Sequence, residues 1–201
     1  MFTGIVSGRG RVQSLEGDEV ARLVVDFTNV STSDLEIGAS VSVDGVCLTA
    51  VSIDDSEVSF DIIPESLGIT TLGTLTEGNW VNLERAMKMG DEIGGHILSG
   101  HIIGTGEIIA REEGEANIDL LIDCPNDIIR YIQPKGFIAV DGISLTVGRV
   151  EESGFSIHLI PETLRLTTLG GKGLGKNVNI EVDSMTQAVV ATVERLMEGR
   201  A

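Results

Sequence analysis

Val140-Asp-Gly-Ile-Ser-Leu-Thr-Val147, followed by Ile160-Pro-Glu-Thr-Leu-Arg-Leu-Thr-Thr-Leu-Gly170, is a stretch that the chain contains twice. The earlier copy is Val43-Asp-Gly-Val-Cys-Leu-Thr-Ala50, followed by Ile63-Pro-Glu-Ser-Leu-Gly-Ile-Thr-Thr-Leu-Gly73. The copies align without a gap at an offset of 97 residues, and about 19 of 42 aligned positions are identical. A self-match of this length indicates two copies of one domain. Because the period is much longer than a solenoid repeat, each copy should form its own core.

Short alternating segments bounded by turn residues make up most of each copy. Asp44-Gly45 and Asp141-Gly142 separate alternating apolar runs, a strong hairpin signal because both turn positions need φ > 0. Apolar residues make up 42% of the chain and aromatic residues only 3%, so Val, Ile and Leu must build the cores, as in strands. This pattern predicts an all-β protein with two homologous six-stranded antiparallel Greek-key barrels in tandem, plus a C-terminal α-helix.

Several local predictions accompany this fold. The glycine-containing openings of the copies, residues 4–6 and 100–102, are interpreted as parts of interrupted first strands. Residues 31–36 and 125–131 predict short capped helical turns. Pro64 and Pro161 should end the strands that precede them.

The domain boundaries follow from the repeat and from the change of pattern after it. We expect the first barrel in residues 1–97, the second in 98–184 and the helix in 185–201. Ser184 is the predicted N-cap, and apolar residues then recur at helical spacing. Because this helix belongs to neither copy, it is a candidate for subunit contact. Docking on its own barrel is the alternative.

Composition excludes several classes of function. A net charge of −17 argues against nucleic acid, since no basic stripe is present to contact phosphates. His96, His101 and His158 have no metal-ligand spacing with Cys47 or Cys124, so we expect no metal site and reduced cysteines. No apolar run is long enough for a membrane span and no signal peptide is evident, which predicts a cytoplasmic protein.

The motifs taken together and in order resemble the riboflavin synthase family over essentially the whole chain. The matching segments are Met1-Phe-Thr-Gly-Ile-Val6, Val43-Asp-Gly-Val-Cys-Leu-Thr49, Asp91-Glu-Ile-Gly-Gly-His-Ile-Leu-Ser-Gly-His101, Lys135-Gly-Phe137, Asp141-Gly-Ile-Ser-Leu-Thr146 and His158-Leu-Ile-Pro-Glu-Thr163. The resemblance implies the dismutation of two 6,7-dimethyl-8-ribityllumazine molecules to riboflavin and 5-amino-6-ribitylamino-2,4(1H,3H)-pyrimidinedione, without a cofactor. It also implies a homotrimer in which the first barrel of one subunit faces the second barrel of its neighbour, with lumazine synthase as a further partner.

The copies differ where reactivity matters. The residues that we assign to catalysis are His101, Cys47, Ser144, Thr146 and Asp183. His101 is the candidate base because histidine titrates near neutrality, and a role in hydrogen bonding alone is the alternative. Cys47 is either a transient thiol assistant or a buried structural residue, and Asp183 either acts at the reacting centre or caps the helix. The family often has a second cysteine where this chain has Val46, which excludes an essential cysteine pair.

The resemblance also implies the residues that bind the substrate. Those of the first copy and its opening are Gly4, Ile5, Val6, Cys47, Leu48, Thr49, Asp61, Ile62, Ile63, Pro64, Glu65 and Ser66. Those of the second copy are Gly100, His101, Ile102, Lys135, Ser144, Leu145, Thr146, His158, Leu159, Ile160, Pro161, Glu162 and Thr163. Phe2, Ser40 and His96 are additional candidates for the pocket, although Phe2 is equally an anchoring core residue and His96 is expected to position the linker.

A non-catalytic protein is the main alternative. The lumazine proteins of luminous bacteria share both barrels and bind a chromophore as an antenna, but their second copy is degraded. Both copies are intact here, which favours the enzyme.

Overall fold

The computed structural model describes residues 1–17 and 19–199. In this part of the chain there are twelve strands, four α-helices and two short 3-10 helices, Thr71–Thr74 and Leu169–Gly171. The strands of the first copy are β1 (Gly8–Glu16), β2 (Ala21–Asp26), β3 (Ser40–Val43), β4 (Val46–Asp54), β5 (Glu57–Ile62) and β6 (Trp80–Arg85). Those of the second copy are β7 (Gly104–Glu113), β8 (Ile118–Asp123), β9 (Phe137–Val140), β10 (Ile143–Val150), β11 (Gly154–Leu159) and β12 (Asn177–Val182). The helices are α1 (Pro64–Ile69), α2 (Asn126–Ile129), α3 (Pro161–Leu166) and α4 (Ser184–Glu198).

Each copy closes into an antiparallel barrel. The strands of the first barrel lie in the order β1-β2-β5-β4-β3-β6, and β6 pairs with β1. The second barrel repeats this order as β7-β8-β11-β10-β9-β12, with β12 paired to β7. In both, three hairpin-connected strands are flanked by a strand that returns beside the first, which is a Greek key. The predicted fold class is confirmed.

Two separate hydrophobic clusters fill the barrels. Leu23, Phe60 and Leu83 lie in the first cluster, and Ile122 and Phe155 lie in the second. All five are fully buried on the inward positions of alternating strands. Each copy therefore has its own core.

The predicted hairpins at the two Asp-Gly pairs are confirmed. Asp44 and Asp141 have φ of 44° and 47°, and Gly45 and Gly142 have φ of 85° and 77°. The turns also pack against each other across the barrels, since a Cβ on Gly45 would lie 2.6 Å from the backbone nitrogen of Gly142. Glycine is therefore needed at these positions for two reasons: it adopts the positive φ of the turn, and it leaves room for the other turn to approach.

Four local predictions were wrong. Residues 31–36 form turns instead of a helical turn, because Asp34 has a left-handed φ of 57°. Residues 4–6 and 100–102 lie outside the strands, which begin at Gly8 and Gly104. The N-cap of α4 is Asp183 rather than Ser184, because the Asp183 carboxylate reaches the Thr186 amide.

Pro64 and Pro161 do end the strands, but each also begins a short helix that was not predicted. Both prolines occupy the first turn of a helix. Proline suits that position because its fixed φ is helical and its missing N–H would be unpaired there.

α4 begins where the second barrel ends. Its C-terminal continuation to residue 201 was predicted, but residues 200 and 201 lie outside the described part of the chain. Within the described residues, no helix combines the length and the apolar character that crossing a membrane would require.

Candidate active site

The segment that precedes each barrel packs against the other barrel. The Ser144 amide on β10 donates a 2.9 Å hydrogen bond to the Gly4 carbonyl, and the Cys47 amide on β4 donates one of 2.9 Å to the Gly100 carbonyl. The side chain of Val6 is part of the second barrel's core, and that of Ile102 is part of the first barrel's core. We call residues 3–6 and 99–102 the leaders. Each leader is thus exchanged between the copies.

This exchange arranges the predicted binding residues in two sets. The first half-site comprises residues 47–49 and 61–66 with the leader residues 100–102. The second half-site comprises residues 144–146 and 158–163 with the leader residues 4–6. The pairing of Ala50 with Phe60 and of Val147 with Ile157 places the two strands of each half-site side by side.

Glycine is required where a leader meets its strand. Gly4 and Gly100 have φ of 74° and 82°, a conformation that costs glycine little. A Cβ on Gly4 would lie 2.5 Å from the Cβ of Ser144, and one on Gly100 would collide with the Cβ of Cys47. The backbone of each leader therefore reaches the strand only because a side chain is absent.

Two buried glutamates hold the leaders, and sequence reasoning missed both. Glu84 on β6 accepts from the Thr3 amide and hydroxyl at 2.6 and 2.7 Å and from the Gly4 amide at 3.0 Å. Glu181 on β12 accepts from Ser99 at 2.7 Å twice and from the Gly100 amide at 3.0 Å. Glu84 and Glu181 are the same residue type at the 97-residue offset of the repeat, and this identity is the sequence signal that could have found them.

Burial raises the pKa of Glu84, and the hydrogen bonds from Thr3 and Gly4 oppose this effect only in part. The carboxylate is nevertheless the form that these three donors stabilise, because an ionised carboxyl group only accepts. Glu84 thus fixes the geometry of the first leader with a charged group that water reaches poorly.

His96 in the linker belongs to the second half-site. Its Nδ1 lies 2.6 Å from Ser144 Oγ, and its ring stacks on Phe137 at 4.9 Å between centroids. Burial lowers the pKa of His96 although the Asp183 carboxylate raises it. Its amide donates to the Thr3 carbonyl at 3.1 Å, which ties the backbone of the linker to the first leader.

Asp61 and His158 are the corresponding residues of β5 and β11, and each pairs with a side chain on the neighbouring strand. Arg22 on β2 contacts Asp61 through two hydrogen bonds of 2.9 and 3.1 Å. Asp119 on β8 lies 2.8 Å from Nδ1 of His158. The acidic residue of the pair lies on β5 in the first barrel and on β8 in the second, so the acid and the base have changed places between the copies. The hydrogen bond with His158 lowers the pKa of Asp119.

Asp183 caps α4. Its Oδ2 accepts from the amide and the hydroxyl of Thr186 at 2.9 and 2.7 Å. Burial raises the pKa of Asp183, but the Thr186 hydrogen bonds and the nearby His96 outweigh it and lower the pKa. The carboxylate is half-buried beside His96, so capping does not remove it from the second half-site.

The remaining predicted residues differ in what they can offer a ligand. Side chains exposed around the half-sites are those of Ile5, Thr49, Ile63, Pro64, Glu65, His101, Lys135, Thr146, Ile160, Pro161 and Glu162. Half-exposed side chains are those of Ser66, Leu145 and Thr163. Leu48, Ile62 and Leu159 point into the barrel cores and can meet a ligand only through their backbone.

Phe2 and Ser40 are not among the residues that form the two half-sites. Phe2 is 1% exposed and its backbone pairs with Leu98, so its side chain is an anchoring core residue. Ser40 pairs with Thr49 across β3 and β4 and lines a cavity of about 350 Å³ next to Lys88. Ser40 is thus close to the first half-site.

The structure does not bring all five catalytic candidates together within one chain. His101 and Cys47 belong to the first half-site, and Ser144 and Thr146 belong to the second half-site near Asp183. Both cysteines are free, and burial raises the pKa of Cys124 to about 11. Within residues 1–17 and 19–199 no cluster of side chains is arranged to hold a metal ion.

Known proteins resemble this chain in both sequence and fold. The lumazine binding domain family matches residues 3–86 and 99–183. The chain is 50% identical over 202 residues to the riboflavin synthase of Escherichia coli (strain K12), covering 100% of this chain and 95% of that protein. It is 46% identical over 198 residues to the riboflavin synthase of Chlamydia pneumoniae, covering 98% and 97%. The crystal structure of LumP complexed with riboflavin superposes with a TM-score of 0.85 at 30% identity, covering 92% of this chain and 100% of LumP.

Two barrels that each match one lumazine binding domain define a protein of the lumazine-binding class. Within that class, full-length identities of 42–50% to riboflavin synthases decide the family. The chain belongs to the riboflavin synthase family and is an enzyme, a transferase.

Proposed function

We propose that this chain catalyses the dismutation of two molecules of 6,7-dimethyl-8-ribityllumazine. One molecule donates a four-carbon unit to the other, giving riboflavin and 5-amino-6-ribitylamino-2,4(1H,3H)-pyrimidinedione. The observation that carries the proposal is the matched pair of hydrogen bonds from Ser144 to Gly4 and from Cys47 to Gly100. These bonds form the same half-site twice, and two copies of one site suit two copies of one ligand.

The reacting pair forms between subunits in this proposal. Large apolar side chains around the half-sites are open in the single chain: Ile5 is 51% exposed, Ile63 52%, Phe137 52% and Ile160 60%. A ring held on each half-site, with the first half-site of one subunit facing the second of its neighbour, would cover these side chains. Holding two rings in reacting geometry is worth about 7–11 kcal/mol of the barrier.

α4 supports a homotrimer. Met185, Val189, Val193, Leu196 and Met197 form a stripe along α4 and are 49–76% exposed. The helix also touches the second barrel through an ion pair of 3.7 Å between Arg130 and Glu194. Its apolar stripe therefore faces away from its own barrel, as a subunit contact requires, and three such helices would bury it.

In this proposal the differences between the half-sites give the two bound lumazine molecules different chemical roles. Turnover requires removal of a proton from the C7 methyl group of one lumazine, and His101 on the exposed leader is our candidate for the base. In the second half-site, Ser144 Oγ shares a hydrogen bond with His96 Nδ1. This hydroxyl can exchange a proton with a bound lumazine ring. Proton transfer by a placed side chain contributes about 10²–10⁴-fold to the rate.

Recognition rests on the backbone of the leaders and on the paired side chains. The carbonyls of residues 5–6 and 101–102 and the amides of Val6 and Ile102, which take no part in the hydrogen bonds that hold the leaders, match the acceptors and donors of a pyrimidinedione edge. Asp61 and His158 are held in place by Arg22 and Asp119, so they offer prepositioned groups to the ribityl hydroxyls. Thr49 and Thr146 occur at the same position of the two half-sites and would contact equivalent atoms of the two ligands.

The proposal also covers the cofactor requirement, the cellular location and the partner protein. No cofactor is required, because one substrate molecule is the donor and the other the acceptor. The two free cysteines support a cytoplasmic location, where disulfides are rare. Lumazine synthase stays a predicted partner.

A lumazine antenna is the second candidate, favoured by the likeness to LumP complexed with 6,7-dimethyl-8-(1'-D-ribityl) lumazine at a TM-score of 0.83. The identity of 29% to that protein, against 50% to a riboflavin synthase, favours the enzyme. Incubating the purified protein with the lumazine alone separates the two. We expect riboflavin and the pyrimidinedione in equal amounts without any added cofactor, whereas bound but unconverted lumazine would support the antenna.

A further inference from the structure

A second cavity lies between the two barrels, away from both half-sites. Its volume is about 560 Å³, and residues of both copies line it, among them Arg9, Thr71, Trp80, Thr168, Lys172 and Lys176. We call this cavity the interbarrel cleft. It contains none of the residues that the proposed reaction uses.

The floor of the cleft is a reciprocal network. The Asn82 side chain donates to the Asp141 carbonyl at 3.0 Å, and the Asn179 side chain donates to the Asp44 carbonyl at 2.8 Å. The amide oxygens of the same side chains accept from the backbone: Asn179 from Thr71 at 2.7 Å and Asn82 from Thr168 at 2.8 Å. The barrels are thereby fixed to each other through groups that are fully satisfied.

The hydroxyls of Thr71 and Thr168 are the exception. These residues are only 8% and 9% exposed, yet among the described residues neither Oγ1 has a hydrogen-bond partner. Buried hydroxyls without partners are costly and uncommon. Two of them lie at the same position of the two copies and line one cavity, so both are available to a polar ligand in that cavity.

Three basic residues, Arg9, Lys172 and Lys176, line the cleft. Lys172 and Lys176 are two of only four lysines in a chain of net charge −17, and the first copy has Leu75 and Asn79 in their places. Lys172 Nζ lies 2.6 Å from Asp141 Oδ2 and 3.1 Å from the Asn177 carbonyl. Asp141 therefore neutralises Lys172, and the charges of Lys176 and Arg9 remain for a ligand.

Asp44 is the acidic group that faces this space. Burial and the neighbouring Asp141 raise its pKa to about 7, while Lys172 and the Asn82 amide lower it. Near neutrality the carboxyl group is thus protonated in a large fraction of molecules and can then donate a hydrogen bond.

We propose that the interbarrel cleft binds a phosphate group, either inorganic phosphate or the phosphate of a small ester. The Thr71 and Thr168 hydroxyls donate to its oxygens, Lys172 contributes its remaining N–H, and Arg9 and Lys176 approach from the rim. Charge-assisted hydrogen bonds of this kind are the strong ones in proteins. A cavity of about 560 Å³ exceeds the size of a phosphate ion, so it also accommodates a sugar attached to it.

Trp80 provides the readout. It is the only tryptophan of the chain, it lines the cleft, and the Arg9 guanidinium lies 5.4 Å from its ring centroid. Fluorescence of the protein should therefore be titrated with potassium phosphate and with ribose 5-phosphate, against potassium chloride at equal ionic strength. We expect a saturable change with phosphate, and a lower dissociation constant for ribose 5-phosphate shows that the attached sugar is also held.

Variants decide whether this binding occurs in the cleft. Thr71→Val and Lys176→Ala should each weaken phosphate binding by about 10-fold or more. Thr74→Val is the matched control for the first, because Thr74 lines the same cleft but its hydroxyl already donates to the Thr71 carbonyl at 2.8 Å. Lys88→Ala is the control for the second, since it removes a lysine that lines a different cavity.

Two results would overturn the proposal. One is a response to phosphate that does not saturate or that chloride reproduces. The other is a saturable response to magnesium or potassium ions alone, which would make the cleft a cation site built on Asp44. Lys176 is exposed on the rim, so its variant tests the proposal even if Thr71→Val does not fold.

Discussion

His96 Nδ1 lies 2.6 Å from Ser144 Oγ, which joins the linker between the barrels to a strand of the second barrel. His96 is 7% exposed, and its Nε2 has no hydrogen-bond partner among the described residues. Burial lowers its pKa, although the Asp183 carboxylate opposes this effect, so burial favours the neutral ring. Whether Nδ1 accepts the Ser144 proton or donates to Oγ depends on the tautomer, and either arrangement ties the hydroxyl to a titratable group.

Ser144→Ala should lower kcat by about 10²-fold and change KM by less than about 3-fold, because a proton-transfer group is removed and the backbone contact to Gly4 is kept. Steady-state kinetics with the lumazine measures both values. Cys47→Ser is the matched variant, since it gives the first half-site the residue of the second. We expect it to retain at least about a tenth of the wild-type kcat. Equal losses in the two variants would contradict the assignment.

His101→Ala should lower kcat by about 10²–10⁴-fold while the lumazine still binds, because the backbone of this leader, held by Glu181, is unchanged. Turnover is measured from riboflavin formation, and binding from the fluorescence of the ligand. His158→Ala is a control histidine outside the proposed proton transfer, and it should mainly raise KM. Unchanged turnover in His101→Ala would remove this residue from the mechanism.

Exchange of the acidic and the basic residue between β8 and β11 tests the cross-strand pair of Asp119 and His158. His158→Asp places two acids opposite each other on β11 and β8 and should reduce the free energy of unfolding by about 0.2–1 kcal/mol. Adding Asp119→Arg reproduces the Arg22–Asp61 pair of the first barrel and should restore most of this loss. Urea unfolding measures the difference. A double variant no more stable than the single one would show that the pair contributes nothing.

Asp44 makes stability depend on pH. Its pKa is raised from 3.8 to about 7, so between these values the folded chain binds more protons than the unfolded chain. The contribution of Asp44 to the free energy of unfolding is therefore complete below about pH 4 and is lost as pH rises through 7.

Asp44→Asn should flatten this dependence, because the amide oxygen can still accept from the Asn82 amide but the group no longer titrates. Asp141 and Lys172 are charged neighbours of Asp44, so the measurement compares unfolding curves of the variant and the wild type at pH 4 to 8. A slope that persists unchanged in the variant would assign the effect to other groups.

Removal of α4 by truncation after Asp183 should convert the oligomer to monomers and abolish turnover. The milder variant Val189→Glu places a charge in the apolar stripe and should have the same effect at low protein concentration. Ala188→Glu introduces the same charge on an exposed residue beside the stripe and should leave assembly intact. Sedimentation velocity measures the oligomer, and an active monomer would refute the shared site.

Much of the fold could be predicted because its signals are local. The alternation of apolar residues and the Asp-Gly turns lie within short segments, and the repeat confirmed that the pattern occurs twice. The helical turn at residues 31–36 was wrong because Asp34 adopts a left-handed conformation that its neighbours in sequence do not reveal. The helices after Pro64 and Pro161 were missed because they are only six residues long.

The site could be predicted less completely. The resemblance predicted a set of ligand-binding residues, but it did not include Glu84 and Glu181, which hold the leaders. It also did not separate Leu48, whose side chain lies in a core, from Thr49, whose side chain is exposed. Burial depends on how strands close into a barrel, and a motif does not contain that information.

By itself, the sequence determined that the protein is a pair of like barrels, because a repeated pattern of alternation and turns needs no knowledge of distant contacts. Only the tertiary structure decided that the leaders are exchanged, that Asn82 and Asn179 cross between the barrels, and that two threonine hydroxyls meet in one cleft. These relationships join residues more than 50 positions apart. They depend on how closely two finished barrels approach, which at Gly4 and Gly100 is possible only where no side chain intervenes.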